Sequence, residues 1–142
     1  MSGYVIDASV AIKWVIEEPG STGSLAIAKQ GNLIAPDLIL PECANVLWKK
    51  VQRKELSAAE ARFAGRLIEA SDLRLHDMRP LFAACIDIAI DLDHPAYDCV
   101  YLALAVREKM PFVTADDRLV RKLRQDPHLR YKDIVLPLSD FA

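Results

Sequence analysis

Residues 96–116 read AYDCVYLALAVREKMPFVTAD, and the fold turns on how this stretch divides. Residues 96–109 have the length and apolar content of a largely buried helix. PFVT at 111–114 is a short apolar run that ends in polar residues, as a buried strand does. The same alternation continues outward through YVID, NLIAP and LRLHD, with longer stretches of helical spacing between them. The pattern predicts strands at 4–7, 33–35, 73–76, 111–114 and near 131–135. It predicts helices at 9–17, 21–30, 38–53, 57–70, 80–92, 96–109 and 117–124. PGS and DHP serve as breaks, and SAAE at 57–60 is a Ser-x-x-Glu capping box. Short buried strands alternating with helices imply an α/β chain with a central parallel sheet of about five strands, covered on both faces.

The 142 residues make one domain, 1–142, long enough for a full hydrophobic core. No long linker, repeat or low-complexity tract divides it. The opening MSGYVIDASV lacks a basic leader and carries Asp7 where a signal peptide stays apolar. No run reaches the roughly 18 apolar residues that a membrane span needs. Cys43, Cys85 and Cys99 stand singly among apolar neighbours, which reads as reduced core thiols in a cytoplasm. His76, His94 and His128 form no zinc pattern. A net charge of −2 is not that of a general nucleic-acid binder, so any such function must be local.

The acids carry the functional signal. Asp7 ends the first strand and Asp116 lies just past the fourth, the sheet edge where parallel α/β proteins bind ligands. Glu42 and Asp98 lie early in helices that begin at that same edge. Each has an ordinary reading: Glu42 and Asp98 suit a helix dipole, Asp7 can cap the helix that follows, and Asp116 or Asp117 can cap RLVRKL, capping being the favoured reading of Asp117. As a group they need more. Two carboxylates about 4 Å apart repel by on the order of 4 kcal/mol at an effective dielectric of about 20. Four of them converging call for a cation, and an all-oxygen set suits Mg²⁺ or Mn²⁺. The same ion would answer the charge of Asp98, a carboxylate on a helix expected to be largely buried.

Carboxylate-held Mg²⁺ or Mn²⁺ most often works on phosphates, through water it acidifies and a leaving oxygen it stabilises. The chain has no GxSxG, P-loop or GxGxxG to compete with that reading.

Four segments resemble the PIN-domain nucleases, in particular the VapC-type toxins of toxin–antitoxin pairs. They are VIDASV, LPECANVLWKKVQRKEL, AYDCVYLALA and FVTADDRL, in the family's order and spacing over nearly the whole chain. The resemblance implies a three-layer PIN-like fold and a metal-dependent endoribonuclease that cuts single-stranded regions of RNA. Carried over, Asp7, Glu42, Asp98 and Asp116 would bind one or two Mg²⁺ or Mn²⁺ ions. Ser9 and Thr114 would orient carboxylates or a phosphate, or else be ordinary caps. Asn45, one turn after Glu42, would bond within the site or face a neighbouring helix. Asp117 is a further candidate acid.

Of the basic residues Lys49, Lys50, Arg53, Lys54, Arg118, Arg121, Lys122 and Arg124, most read as solvated helix faces. Arg118, nearest Asp116, is the candidate phosphate contact. Trp14 and Trp48 read as core or interface residues. The resemblance also implies a homodimer and a small cognate antitoxin, with helix 38–53 as a candidate surface. Two other classes compete: a metal-dependent phosphatase, which wants Asp-x-Asp where this chain has Asp7-Ala8-Ser9, and a non-catalytic receiver-like or catalytically silent PIN module.

Overall fold

The computed structural model describes residues 3–125 and 130–141, so His128 lies outside it. Five strands, β1 (Tyr4–Ile6), β2 (Leu33–Pro36), β3 (Arg74–His76), β4 (Phe112–Thr114) and β5 (Val135–Pro137), form one sheet. Every pairing is parallel, in the order β3-β2-β1-β4-β5. The register brings Val5 beside both Ile34 and Phe112. The central strands have no exposed residue because both faces are covered: Val5, Ile6, Ala35, Phe112 and Val113 have no exposed surface.

Among the described residues seven helices cover the sheet: α1 (Ala8–Val15), α2 (Ser21–Gln30), α3 (Ile39–Gln52), α4 (Ala58–Glu69), α5 (Phe82–Leu92), α6 (Ala96–Glu108) and α7 (Asp117–Arg124). The chain steps from β1 to β2 to β3 in one direction and from β3 back past β1 to β4 and β5 in the other. Right-handed crossovers therefore place α1–α4 on one face and α5–α7 on the opposite face. Accordingly α1 packs on α2, α3 and α4, while α6 lies on β1, β2 and β4 beneath α5. Sandwiched in this way, α6 buries seven successive residues, Cys99 to Ala105, and Tyr101 stacks on Phe112 with ring centroids 5.6 Å apart. Cys43, Cys85 and Cys99 are buried free thiols. No described helix is long and apolar enough to cross a membrane.

Four expectations need correction. The last strand is not at 131–135: Ile134 N–H bonds to Tyr131 O in a turn, and pairing with β4 begins only at Val135. β3 is not buried, because at three residues on the sheet edge it presents Arg74 and Leu75 to solvent. Helix 80–92 divides into a 3-10 turn, Arg79–Leu81, and α5, which begins at Phe82. The buried part of α6 starts at Cys99, so Asp98 precedes it and its side chain is 34% exposed. The Ser57–Glu60 capping box of α4 is present in both halves, at 3.0 and 2.8 Å.

Candidate active site

In the order β3-β2-β1-β4-β5 the direction of winding reverses between β1 and β4, which opens a crevice at their carboxyl ends. Asp7 leaves β1 at that point, and Thr114 ends β4 beside it. Asp7 is the backbone N-cap of α1, its carbonyl accepting from Val10 and Ala11 N–H, but its carboxylate makes no cap bond. Instead Ser9 Oγ donates to Oδ1 at 2.5 Å and Thr114 Oγ1 donates to Oδ2 at 2.6 Å. Both hydroxyls are held in turn: Ser9 Oγ accepts from Ala115 N–H (2.9 Å) and Thr114 Oγ1 from Asp116 N–H (3.1 Å). The first turn of α1 and the end of β4, distant in sequence, thus clamp one buried carboxylate.

Burial pushes the Asp7 carboxyl up to about 6, against the pull of the Ser9 and Thr114 hydroxyls, and the charges of Asp98 and Glu42 add to the rise. Glu42, in the first turn of α3, is also raised, by burial and then by Asp98, while a hydrogen bond from Tyr101 opposes the shift. Tyr101 donates its hydroxyl to Glu42 Oε1, and burial together with that carboxylate pushes its own ionisation upward. Asp98 therefore acts on both Asp7 and Glu42, and Glu42 on Asp7, from three separate elements. Asp98 is held by His94, whose Nε2 lies 2.7 Å from its Oδ2.

Asp116 is placed differently. It is exposed and caps α7, Oδ1 accepting from Arg118 N–H (3.1 Å) and Leu119 N–H (3.2 Å). The cap of that helix is therefore Asp116 and not Asp117, which is an exposed first-turn residue. Asn45 is exposed, with no hydrogen bond among the described residues, and the Arg118 side chain is exposed beside Asp116. Trp48 is 55% exposed, whereas Trp14 donates from Nε1 to Ser24 O. Of the basic residues singled out in the sequence, Lys50 bridges to Glu18 and Glu55, and Lys122 donates to Asp93 O.

Among the described residues no three His, Cys, Asp or Glu side chains are gathered closely enough to hold a metal ion. The donor set nevertheless fits a hard divalent cation. The charge of Asp98 raises the proton affinity of Asp7 and Glu42, that of Glu42 adds to the rise at Asp7, and the acids supply oxygen donors. Glu42, Asp98 and Asp116 each have one oxygen anchored by Tyr101, His94 or the α7 amides. The second oxygen of each makes no hydrogen bond among the described residues. A ligand carboxylate wants that division of labour.

Sequence reasoning missed Tyr101, His94 and Lys122. Tyr101 lies three residues after Asp98 and so faces the same side of α6, a signal masked by its apolar neighbours. The spacing of His94 and Asp98, four apart across the α6 N-terminus, was equally readable.

The PIN-domain family model matches residues 4–124, and the chain belongs to that family. It is 30% identical over 123 residues to Ribonuclease VapC3 of Pyrobaculum aerophilum, covering 83% of this chain and 92% of that protein. It is 33% identical over 115 residues to Ribonuclease VapC9 of Mycobacterium tuberculosis, covering 81% and 87%. The fold is similar to the crystal structure of PAE2754 from Pyrobaculum aerophilum, with a TM-score of 0.73 and 19% identity over 98% of this chain and 85% of that one.

Proposed function

We propose that the chain is a VapC-type endoribonuclease, the toxin of a toxin–antitoxin pair, hydrolysing RNA phosphodiester bonds with Mg²⁺ or Mn²⁺ at Asp7, Glu42, Asp98 and Asp116. The observation that carries this reading is a buried aspartate at the β1/β4 crevice whose charge is coupled to Glu42 and Asp98. PIN-family membership and two relatives named ribonucleases, each matched over more than four-fifths of this chain, support it. The residue two after Asp7 is Ser9, which bonds to Asp7 and adds no second carboxylate, so the aspartyl-phosphatase reading loses its motif.

When bound, one or two divalent ions would acidify water and neutralise charge building on the phosphate and the leaving oxygen. The protein's own part is positioning. Ser9 and Thr114 keep both oxygens of Asp7 in fixed directions, and Tyr101 fixes one oxygen of Glu42. The α7 amides hold Asp116 at the crevice rim and offset its charge. Arg118, exposed and two residues on in the sequence, would receive a flanking phosphate.

The same reading brings two protein partners, a cognate antitoxin and a second copy of the chain. Exposed apolar side chains suited to such contacts occur on α3 (Leu40, Trp48) and on α5 (Phe82, Ile86, Ile90).

The test is cleavage of a labelled tRNA pool by antitoxin-free protein with Mg²⁺, with Mn²⁺ and with EDTA, beside Asp7→Asn and Asp98→Asn. Cutting that needs the metal and is lost in both variants is the expected result. Wild-type protein that cuts nothing, with no metal binding by calorimetry, would remove the nuclease reading and leave a binding module.

A further inference from the structure

The corner between α5 and α6, Asp93-His94-Pro95, carries a chain of hydrogen bonds that the proposed chemistry does not use. Asp93 ends α5 in the left-handed region (φ 49°), and His94 N–H bonds back to Ala89 O at 3.2 Å. Pro95 then caps α6. The backbone of His94 is thus fixed on both sides, and its half-buried ring has two neighbours. Lys122 Nζ, reaching over from α7, lies 3.0 Å from Nδ1 and 3.0 Å from Asp93 O. Asp98 Oδ2 lies 2.7 Å from Nε2.

The chemistry of these groups decides where the ring proton is. A lysine ammonium has three donors and no acceptor, so Nδ1 must offer it a lone pair. The ring N–H is then on Nε2 and points at the Asp98 carboxylate, a charge-assisted donor. A histidine whose Nδ1 carried the proton would oppose donor to donor at Lys122 and lone pair to lone pair at Asp98. The bonds to Asp93 O and Nδ1 hold Lys122, so one residue on α7 sets the tautomer of a ring that grips an acid on α6.

Resting on the metal-site reading above, we infer that His94 is a positioning residue for Asp98 and that Lys122 acts through it as the tautomer-setting group. The pair holds Oδ2 and leaves Oδ1, which has no hydrogen-bond partner among the described residues, as the oxygen offered to a cation. The cluster also joins α5, α6 and α7 at the crevice rim, so the position of Asp98 depends on all three helices.

Two measurements on the full chain test this. The first is long-range ¹H–¹⁵N NMR of metal-free, ¹⁵N-histidine-labelled protein, with the His94 signals assigned by their loss in His94→Gln. The expected ring has its proton on Nε2, and Lys122→Met mixes in the Nδ1–H form. The second is Mn²⁺ titration followed by electron paramagnetic resonance. Removal of such a supporting hydrogen bond typically weakens metal affinity by about 10–100-fold. That loss is expected in His94→Ala, a smaller one in Lys122→Met, and recovery in His94→Gln, whose amide N–H takes the place of Nε2–H. A general structural role for the ring would not be rescued by glutamine.

A proton found on Nδ1 in the wild type overturns the inference. So does Mn²⁺ binding that is lost in Asp7→Asn but unchanged in His94→Ala and Lys122→Met. Wild-type protein that binds no Mn²⁺ overturns the metal-site reading instead, and the ring tautomer, read without metal, still decides the Lys122–His94 relation.

Discussion

Thr114, at the end of β4, donates its hydroxyl to Asp7 Oδ2 at 2.6 Å, across the seam where β4 pairs with β1. The bond is fully buried on the threonine side, and the same oxygen accepts Asp116 N–H at 3.1 Å. One side chain therefore serves a donor and an acceptor of the crevice together. Thr114→Val keeps the shape and removes both bonds. Leaving a buried polar group unpaired costs about 1–3 kcal/mol, and that loss is the expected change in denaturant stability. RNA cleavage falls as well, and Thr114→Ser restores most of it. A valine variant as active and as stable as wild type would show that the clamp on Asp7 does nothing.

The raised carboxyl of Asp7 makes stability depend on pH. Its pKa rises from an ordinary 3.8 to about 6 on folding, so the folded state binds the proton more tightly than the unfolded chain. The group is neutral in both states below about pH 4 and costs nothing there. As pH rises from about 4 through 6, stability is lost, up to about 3 kcal/mol at 1.36 kcal/mol per pK step, and above that range the cost is constant. Asp7→Asn removes the charge. In metal-free buffer the variant is expected to be more stable than wild type at pH 7–8, with the gain fading towards pH 4. Equal Tm values for the two proteins across that range would contradict the burial of a charged Asp7.

What could and could not be read from the sequence follows from distance along the chain. Strand and helix alternation is a local pattern, and β1, β2 and β4 lie where the apolar runs put them. The local pattern failed where tertiary context reassigns the same residues. Tyr131 and Ile134 look like strand positions, yet they close a turn before β5. Asp98 looks buried because ten residues share one apolar stretch, yet its turn of α6 extends past the packed region. The four acids were read as one group from the strand and helix order; the charges of Asp98 and Glu42 reach Asp7, and Asp116 stands as the cap of α7. Ser9 and Thr114 were named only through the family resemblance, and Tyr101 was not named at all, because Thr114 to Asp7 and Tyr101 to Glu42 are contacts across 107 and 59 residues that no spacing encodes.

Tyr101 illustrates a contact whose removal separates function from folding. Its ring is 1% exposed and stacks on Phe112, and Phe in its place keeps that packing. Only the hydroxyl bond to Glu42 is lost, worth about 1.5–3 kcal/mol for a bond to a charged group and less where water reaches the half-buried acid. That bond holds the Glu42 carboxyl down, so Tyr101→Phe raises it further. The acid limb of the cleavage–pH profile should then move to higher pH, while the unfolding midpoint falls by no more than the loss of that one bond accounts for. An unchanged profile would mean that Glu42 is not positioned by Tyr101.

Ser57 supplies the opposite control. Its hydroxyl accepts Glu60 N–H at the exposed start of α4, on an element that carries none of the candidate site acids. Loss of a serine cap costs about 1 kcal/mol. Ser57→Ala should lower stability by that amount and leave RNA cleavage untouched at temperatures well below unfolding. If cleavage falls with it, losses in the crevice variants cannot be assigned to chemistry.

Asp116 has both a structural and a candidate catalytic duty, and two substitutions divide them. Asparagine caps a helix about as well as aspartate, so Asp116→Asn keeps the bonds to Arg118 and Leu119 N–H. The charge at the α7 N-terminus goes, at a cost of about 0.3–1 kcal/mol. Asp116→Ala loses the cap too, a further cost of about 1 kcal/mol. If the acid contributes to cation binding, both variants lose Mn²⁺ affinity and cleavage to a similar degree, although only alanine clearly destabilises. If cleavage instead follows stability, with asparagine near wild type and alanine impaired, Asp116 is a helix cap alone. The cation site then consists of Asp7, Glu42 and Asp98, the three carboxylates whose charges are already coupled.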